Sequence, residues 1–272
     1  MIRLGFSTIA CPDYDVDRIV ALAGETGLEG IEIRFLRGTV DLTSLDELSP
    51  ARIAETRRRF EDAGLRVVVV GTGVRMNSLD PAQRGQQTAA ARTNLAIAQG
   101  LGAPYLRVFG GPIPRDQDHE RTLDAIATGL GAVADMTAAE GVECILETHD
   151  DFCTSASVLD LYRRGASDRL GVLWDTLHSH RFGETADATW AALGPRIRHV
   201  HVKDSVKADA SGFDFALTGE GTVPVGSFLD VLRRADWDGY VHFEWEKGWH
   251  PEIADADVAV PHFARVVRGL LA

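Results

Sequence analysis

Short apolar runs alternate with longer amphipathic stretches along the whole chain. The short runs are rich in apolar and β-branched residues and are bounded by turn residues, which predicts eight β-strands. These strands cover residues 3–7, 30–34, 66–70, 105–109, 143–147, 170–175, 197–203 and 239–244.

The longer stretches have apolar residues at helical spacing and predict eight helices. These helices cover residues 16–26, 50–63, 81–101, 119–140, 155–164, 185–193, 225–235 and 258–271. Gly27 and Gly102 follow two of these stretches, and glycine just past a helix end takes a left-handed conformation that other residues resist.

This alternation of strands and helices is typical of βαβ units and a parallel sheet. Eight such units in about 250 residues predict an α/β fold of the (β/α)₈ TIM-barrel type. A doubly wound open sheet is the alternative. Because no linker-like segment divides the chain, we expect a single domain over residues 1–272. The longest irregular stretch is 204–224, and loops of that length often cover a site.

Composition and charge narrow the function classes. The chain has 272 residues, 45% of them hydrophobic, and a formal net charge of −12. An acidic chain without a Lys/Arg cluster argues against nucleic-acid and membrane-surface partners. Cys11, Cys144 and Cys153 are an odd number without CxxC spacing, so neither a disulfide framework nor a cysteine zinc site is expected. With no long apolar run, a cytoplasmic protein is the prediction.

Ionisable residues close the last four predicted strands. Reading those positions gives Glu147, Asp175, His201 and Glu244, at the end of the barrel where active sites are built. Three carboxylates and one imidazole on one rim repel one another unless a divalent cation binds them. We therefore predict one metal ion, Mn²⁺, Mg²⁺ or Co²⁺, with Zn²⁺ as an alternative. For each residue alone, a strand-end cap or a surface ion pair remains an alternative.

Four sequence motifs extend this observation to a family. They are residues 146–150 (LETHD), 174–178 (WDTLH), 199–204 (HVHVKD) and 239–244 (GYVHFE), supported by 5–7 (GFS) and 27–32 (GLEGIE). With them the chain resembles the xylose isomerase-like TIM barrels along essentially its whole length. That superfamily includes sugar phosphate isomerases and epimerases such as the ketose 3-epimerases, hydroxypyruvate isomerase, inosose dehydratase and, more distantly, endonuclease IV. The motifs are specific to the superfamily and not to one substrate.

The resemblance implies roles for these residues. The four strand-end residues take the metal-ligand positions, and Glu147 and Glu244 also act as the acid/base pair. His178 matches a histidine that contacts the substrate near the metal. The chain departs from the ketose 3-epimerase pattern at Lys207, where arginine is expected, and at Cys153, where glutamate is expected.

Other candidate substrate-binding residues have structural alternatives. His149 could donate to a substrate oxygen or be a solvated loop histidine. Lys203 could stabilise an enediolate or form a salt bridge with Asp204. Arg107, with Glu32 and Arg34, could line the pocket, or these residues could neutralise one another. The remaining candidates are His199, His242 and Glu246, for which core or ion-pair roles are favoured, and Trp174, Trp245 and Trp249, as pocket walls or core residues.

The leading hypothesis is a metal-dependent isomerase or epimerase that acts on a small sugar or polyol through a cis-enediolate. A dehydratase of an inosose- or dehydroshikimate-like substrate is the second hypothesis, since the same enolate can expel a β-hydroxyl group. An abasic-site endonuclease needs additional histidines at early strand ends, which the sequence does not offer. A non-catalytic barrel is the last alternative, and assembly into a homo-oligomer stays open.

Overall fold

A closed barrel of eight parallel strands is the centre of the computed structural model, which describes all 272 residues. The predicted (β/α)₈ barrel is therefore confirmed. Around the barrel the strands lie in the order β1-β10-β7-β6-β5-β4-β3-β2, and β8 and β9 form a separate hairpin. The bounds are β1 (Ile2–Ser7), β2 (Gly30–Ile33), β3 (Arg66–Arg75), β4 (Tyr105–Phe109), β5 (Glu143–Glu147), β6 (Gly171–Asp175), β7 (Ile197–Val202), β8 (Asp204–Asp209), β9 (Gly212–Ala216) and β10 (Gly239–Phe243).

Nine helices accompany these strands, eight of them at the predicted places. They are α1 (Val16–Thr26), α2 (Ile53–Asp62), α3 (Pro81–Leu101), α4 (His119–Ala139), α5 (Ser155–Arg163), α6 (Thr176–Arg181), α7 (Ala186–Leu193), α8 (Val225–Arg234) and α9 (Ala256–Leu271). Helix α6 was not predicted, because its six residues are too few to show a helical apolar period. None of the helices has the length and apolar character that crossing a bilayer requires.

Local chemistry fixes where several helices begin and end. The carboxylates of Asp15, Asp80 and Asp118 accept backbone N–H groups in the first turns of α1, α3 and α4. Gly27 and Gly102 end α1 and α3 with φ of 62° and 70°. Only glycine takes this left-handed conformation without a steric cost, so the chain turns there towards the next strand.

The main apolar core lies between the barrel strands and the helices around them. In it, Phe243 of β10 stacks on Phe263 of α9, with ring centroids 4.7 Å apart. Trp174 of β6 meets Phe228 of α8 edge-on, and Trp245 is also buried. Trp174 and Trp245 thus serve the core and not a pocket wall. Fully burying each such side chain contributes about 1.5–3 kcal/mol.

The prediction that residues 204–224 are irregular is wrong for residues 204–216, whereas residues 217–224 lie in no helix or strand. Strands β8 and β9 pair antiparallel within this stretch. The Oγ of Ser205 accepts the N–H of Asp214 across the pair, at 2.8 Å. The returning chain is fixed by the Asp204 carboxylate, which accepts the N–H groups of Gly219 and Gly221 at 2.8 and 3.0 Å. Residues 204–216 therefore form a hairpin, and the chain that follows is hydrogen-bonded to its first residue.

Candidate active site

The four strand-end residues lie together at the carboxyl end of the barrel. Glu147 and Asp175 end β5 and β6, His201 is in β7, and Glu244 follows β10. All four are buried, and their candidate ligand atoms lie within 4.8 Å of one another. Because the carboxyl ends of parallel barrel strands share one face, residues from distant segments meet there.

Several of these ligand atoms make no hydrogen bond of good geometry, although two of them lie within ion-pair distance of a cation. They are Oε2 of Glu147, Oδ2 of Asp175 and Nδ1 of His201. Nδ1 of His201 is 3.3 Å from Oε1 of Glu244 and 3.8 Å from Oε1 of Glu147. Buried polar atoms without partners are rare in folded proteins, and this donor set suits a divalent ion. The residues present therefore fit one metal ion among them.

Lys203 provides a buried positive charge beside the four residues. Its Nζ lies 2.8 Å from Oδ2 of Asp175, 2.5 Å from Oε2 of Glu244 and 2.6 Å from Oε1 of Glu246. Burial disfavours the ammonium form, but these three carboxylates outweigh it and raise the pKa of Lys203 well above its usual range. The suggested salt bridge with Asp204 is wrong, because the Asp204 carboxylate is taken up by backbone N–H groups.

Arg107 lies on the side of the site opposite Lys203. Its Nε is 3.2 Å from Oε2 of Glu147, and its Nη2 is 3.5 Å from Oε1 of Glu32. Its Nη1 also donates to the carbonyl of Thr72, at 3.0 Å, and its guanidinium lies over the ring of Phe109. Arg107 is thus both at the site and neutralised by neighbouring carboxylates, which are the two roles that the sequence left open.

Glu32 of β2 orients His201, a role that sequence reasoning missed. Oε2 of Glu32 is 2.6 Å from Nε2 of His201, and both side chains are fully buried. A carboxylate that accepts one imidazole N–H fixes the tautomer and leaves the other nitrogen free to bind a metal. The alternation of side chains along β2 directs Glu32 into the barrel. Only the closed barrel, which brings β2 and β7 close from distant parts of the sequence, places Glu32 next to His201.

Three aromatic side chains form a wall next to Asp175. The rings of His149 and His178 are 4.6 Å apart, edge to face, and Phe213 of the hairpin is 5.6 Å from His178. His178 is buried, and neither of its ring nitrogens has a hydrogen-bond partner. Burial, reinforced by Lys203, lowers the pKa of His178 well below its usual value, so this imidazole is neutral at pH 7. The hairpin formed by β8 and β9 therefore lies against the site.

Negative charge exceeds positive charge in this region. Five buried or nearly buried carboxylates surround three buried cations, before any charge on His201 is counted. The carboxylates belong to Glu32, Glu147, Asp175, Glu244 and Glu246, and the cations to Arg34, Arg107 and Lys203. Burial raises the pKa of Asp175 to about 7, despite the nearby Lys203. A divalent cation bound there would offset the excess of negative charge and would favour the ionised form of Asp175.

A second group of ligand-type atoms lies next to the first. His199 and His242 point into the barrel, with ring centroids 4.3 Å apart, and can approach a shared point with Glu32. None of their four ring nitrogens has a hydrogen-bond partner. Burial lowers the pKa of His199 to about 3, so it is neutral. A Cβ on Gly5 or Gly30 would come within 2.5 Å of Nε2 of His242, so glycine is needed at both positions.

Comparison with known proteins identifies the family. Residues 20–264 match the family model described as the xylose isomerase-like TIM barrel, and the chain belongs to this family. An inosose dehydratase of Glaesserella parasuis serovar 5 (strain SH0165) is 27% identical over 154 residues, which is 50% of each chain. The chain thus spans about half the length of the curated relatives it matches.

Solved structures agree with the fold. An L-ribulose 3-epimerase superposes with a TM-score of 0.82 at 20% identity, covering 99% of this chain and 94% of that one. The probable 3-DHS dehydratase AsbF of Bacillus anthracis gives 0.81 at 18% identity, covering 98% and 99%. The IolI protein with a bound zinc atom gives 0.82 at 16%, covering 99% and 98%. At these identities the likeness concerns the fold alone.

Proposed function

We propose that this member of the xylose isomerase-like TIM barrel family is a metal-dependent isomerase or epimerase of a small sugar or polyol. One divalent ion binds Glu147, Asp175, His201 and Glu244. The observation that carries the proposal is the convergence of their buried ligand atoms within 4.8 Å, several of them without hydrogen-bond partners. The zinc atom in the similarly folded IolI protein supports it.

Glu147 and Glu244 are the proposed acid/base pair. They come from β5 and β10, which β6 and β7 separate in the barrel, so they approach a substrate from different sides. One carboxylate removes a proton from the carbon next to the carbonyl, and the electron pair left behind forms the enediolate. The other carboxylate carries the proton that is delivered to carbon. The bound ion would supply positive charge for the enediolate oxygens.

Each of the two glutamates lies next to a buried cation. Arg107 is 3.2 Å from Glu147, and Lys203 is 2.5 Å from Glu244. Burial alone would raise the pKa of Glu244, but Lys203 and His201 outweigh it and hold that pKa well below its usual range. Glu244 is therefore an ionised base in the resting protein, and a neighbouring cation also limits how strongly it holds the proton it receives.

Four residues are proposed to bind the substrate. His178 and His149 form one wall of the site and present ring nitrogens to substrate hydroxyl groups. Lys203 and Arg107 lie on opposite sides and present positive charge to substrate oxygens. In this arrangement the neutral imidazole of His178 and the ring of His149 position the substrate, while the cations favour charge that develops on oxygen.

A dehydratase is the second candidate. The specific observation in its favour is Lys203, a fully buried ammonium next to Asp175 and Glu244 that can protonate a departing hydroxyl group. The curated relatives are named inosose dehydratases. An abasic-site endonuclease is disfavoured, because β3 and β4 end at Arg75 and Phe109, where that chemistry needs further histidines.

One experiment tests the proposal and separates these candidates. Protein reconstituted with Mn²⁺, Mg²⁺, Co²⁺ or Zn²⁺ is incubated in D₂O with a panel of ketoses, inososes and dehydroshikimate. Solvent deuterium on the carbon next to the carbonyl, at unchanged carbon skeleton and mass apart from that exchange, is the expected result. A product lighter by one water identifies the dehydratase. Turnover at full rate without incorporated deuterium would contradict the proton-transfer mechanism.

A further inference from the structure

Arg34 is a buried arginine at the site without a partner. It directly follows β2, and its backbone N–H donates to Oγ1 of Thr8. The residue is only 9% exposed, yet its guanidinium donates no hydrogen bond and has no carboxylate oxygen within 4.0 Å. Arg107, which is more deeply buried, has two carboxylates and a backbone carbonyl. The guanidinium nitrogens of Arg34 keep contact with solvent, so this charge has an open N–H edge and no counter-ion, which is an arrangement that an anionic ligand can complete.

The side chain of Arg34 runs into the candidate active site. A Cβ placed on Gly71 would lie 3.0 Å from Cδ of Arg34, 3.0 Å from Nη2 of Arg107 and 2.6 Å from Oε1 of Glu32. Gly71 is therefore the point at which these three side chains meet. The guanidinium of Arg34 thus belongs to the region that contains Glu147 and Glu244, whose charges also act on its pKa.

Two aromatic rings lie near the guanidinium of Arg34, where the site opens to solvent. It lies 5.7 Å from the centroid of the Trp249 ring and 6.0 Å from that of Phe35, and these two rings pack edge to face. Trp249 is 51% exposed, so this part of the site opens to solvent. A guanidinium within cation–π distance of aromatic rings makes no hydrogen bond to them and keeps its N–H edge free for a ligand.

Arg34 remains charged at neutral pH. Burial and the neighbouring Arg107 lower its pKa to about 10, and the carboxylates of the site resist that decrease. Those carboxylates are committed elsewhere, Glu32 to His201 and Arg107, and Glu244 to Lys203. The charge of Arg34 is thus available to a ligand.

We propose that Arg34 binds a carboxylate of the substrate, so that the substrate is a hydroxylated keto acid and not a neutral sugar. This inference rests on the proposed function and narrows its substrate class. The planar guanidinium matches a carboxylate with two parallel hydrogen bonds. A phosphate dianion is less suited, since Arg107 and Lys203 are already paired with carboxylates and the single guanidinium of Arg34 leaves the second phosphate charge uncompensated. Trp249 and Phe35 would contact the carbon atoms beside the carboxylate.

The test compares acids with neutral partners of similar shape. Calorimetric titrations of the metal-reconstituted protein use quinate against myo-inositol and gluconate against sorbitol, with glucose 6-phosphate and inorganic phosphate as the other anions. We expect at least one acid to bind about tenfold or more tightly than its neutral partner. Preference for the phosphate compounds alone, or no preference within either pair, would overturn the proposal.

Substitutions then assign the preference to one residue. Arg34→Gln should weaken the favoured acid about ten- to a hundredfold and leave the neutral partner unchanged, and Arg34→Lys should restore part of the loss. The control is Arg37→Gln, because Arg37 is half-exposed and paired with Glu47 away from the site. An unchanged acid affinity in Arg34→Gln would contradict the assignment.

Metal content separates this inference from the proposed function. If Arg34→Gln keeps one metal ion per chain and the acid preference disappears, the role of Arg34 is supported. If the wild-type protein binds no metal but still prefers acids, the proposed function fails and the carboxylate subsite stands. Because the comparison of acid and neutral probes uses the wild-type chain, it holds even if a variant folds poorly.

Discussion

Two neighbouring groups inside the barrel contrast sharply, although both bring ligand-type atoms within 4.8 Å. The first contains Glu147, Asp175, His201 and Glu244, and we call it the rim group. The second contains Glu32, His199 and His242, and we call it the inner group. The rim group has three carboxylates with Lys203 and Arg107 beside it, whereas the inner group has one carboxylate, which is already bound to His201.

The contrast shows that closeness of ligand atoms is not enough to predict a metal site. A divalent ion loses strongly bound water when it enters a protein site. Anionic ligands must compensate for this lost hydration. The rim group offers three such ligands, and the inner group offers two neutral imidazoles and a shared carboxylate. We therefore expect one metal ion per chain, bound at the rim group.

The largest effect is expected from removing a proposed acid/base residue. Glu147→Gln and Glu244→Gln should each lower turnover by about a thousandfold or more, since a metal ligand and a proton-transfer group are lost together. Steady-state rates with the substrate found in the panel give the measurement. The control is Glu252→Gln, an exposed surface glutamate, and wild-type rates in the Glu244 variant would refute its role.

Metal stoichiometry tests the contrast directly. His201→Ala should weaken metal binding more than about a hundredfold, whereas His199→Ala should still bind one ion per chain. Elemental analysis of the purified proteins after dialysis measures both. Two ions in the wild-type protein, or loss of the ion in His199→Ala only, would assign the metal to the inner group instead.

Glu32 links the two groups and should show an intermediate effect. Glu32→Gln keeps the shape of the side chain but removes the charge that orients His201 at 2.6 Å. Removing such an outer partner typically weakens metal binding about ten- to a hundredfold. A metal titration of the variant should therefore fall between wild type and His201→Ala, and an unchanged affinity would mean that His201 needs no orientation.

The two imidazoles of the inner group should contribute little to the free energy of unfolding through hydrogen bonds. None of the ring nitrogens of His199 and His242 has a partner, so His199→Leu removes polar atoms without leaving new ones unpaired. We expect the free energy of unfolding in urea to change by less than about 1.5 kcal/mol. A much larger loss would show that bound water or an ion occupies the inner group.

The smallest effect is expected at Cys153, a buried residue near the rim group whose thiol stays protonated. Burial raises the pKa of the Cys153 thiol to about 12, with Arg181 opposing the change. The thiolate, which is the reactive form, is therefore scarce at pH 8. Native protein treated with iodoacetamide at pH 8 should stay unmodified by mass spectrometry, and modification should appear after unfolding. Rapid modification of native Cys153 would mean that this part of the rim opens.

The hydrophobic pattern of the sequence was sufficient for the barrel. Strands β4 and β5 and helices α1 and α3 begin and end at the predicted residues, because apolar period, capping aspartates and glycines act over a few neighbouring residues. The same local information placed Glu147, Asp175, His201 and Glu244 at strand ends, and the equivalence of those ends in a parallel barrel brought them together. The hairpin was missed because its strands are partly exposed and β8 is mostly polar, so they hardly differ from loop in sequence.

Only the tertiary structure decided which charged residues form ion pairs. A salt bridge with its neighbour Asp204 was one of two alternatives for Lys203, which instead contacts Asp175 and Glu244. Glu32 meets His201 across 169 positions of sequence. The lack of a partner for Arg34 also became visible only in the fold. Apolar periodicity records which face of an element is buried, whereas an ion pair depends on strand order and side-chain geometry between distant segments. The sequence by itself therefore determined the barrel and the rim residues, and the tertiary structure decided which charges are paired and which one is free for a ligand.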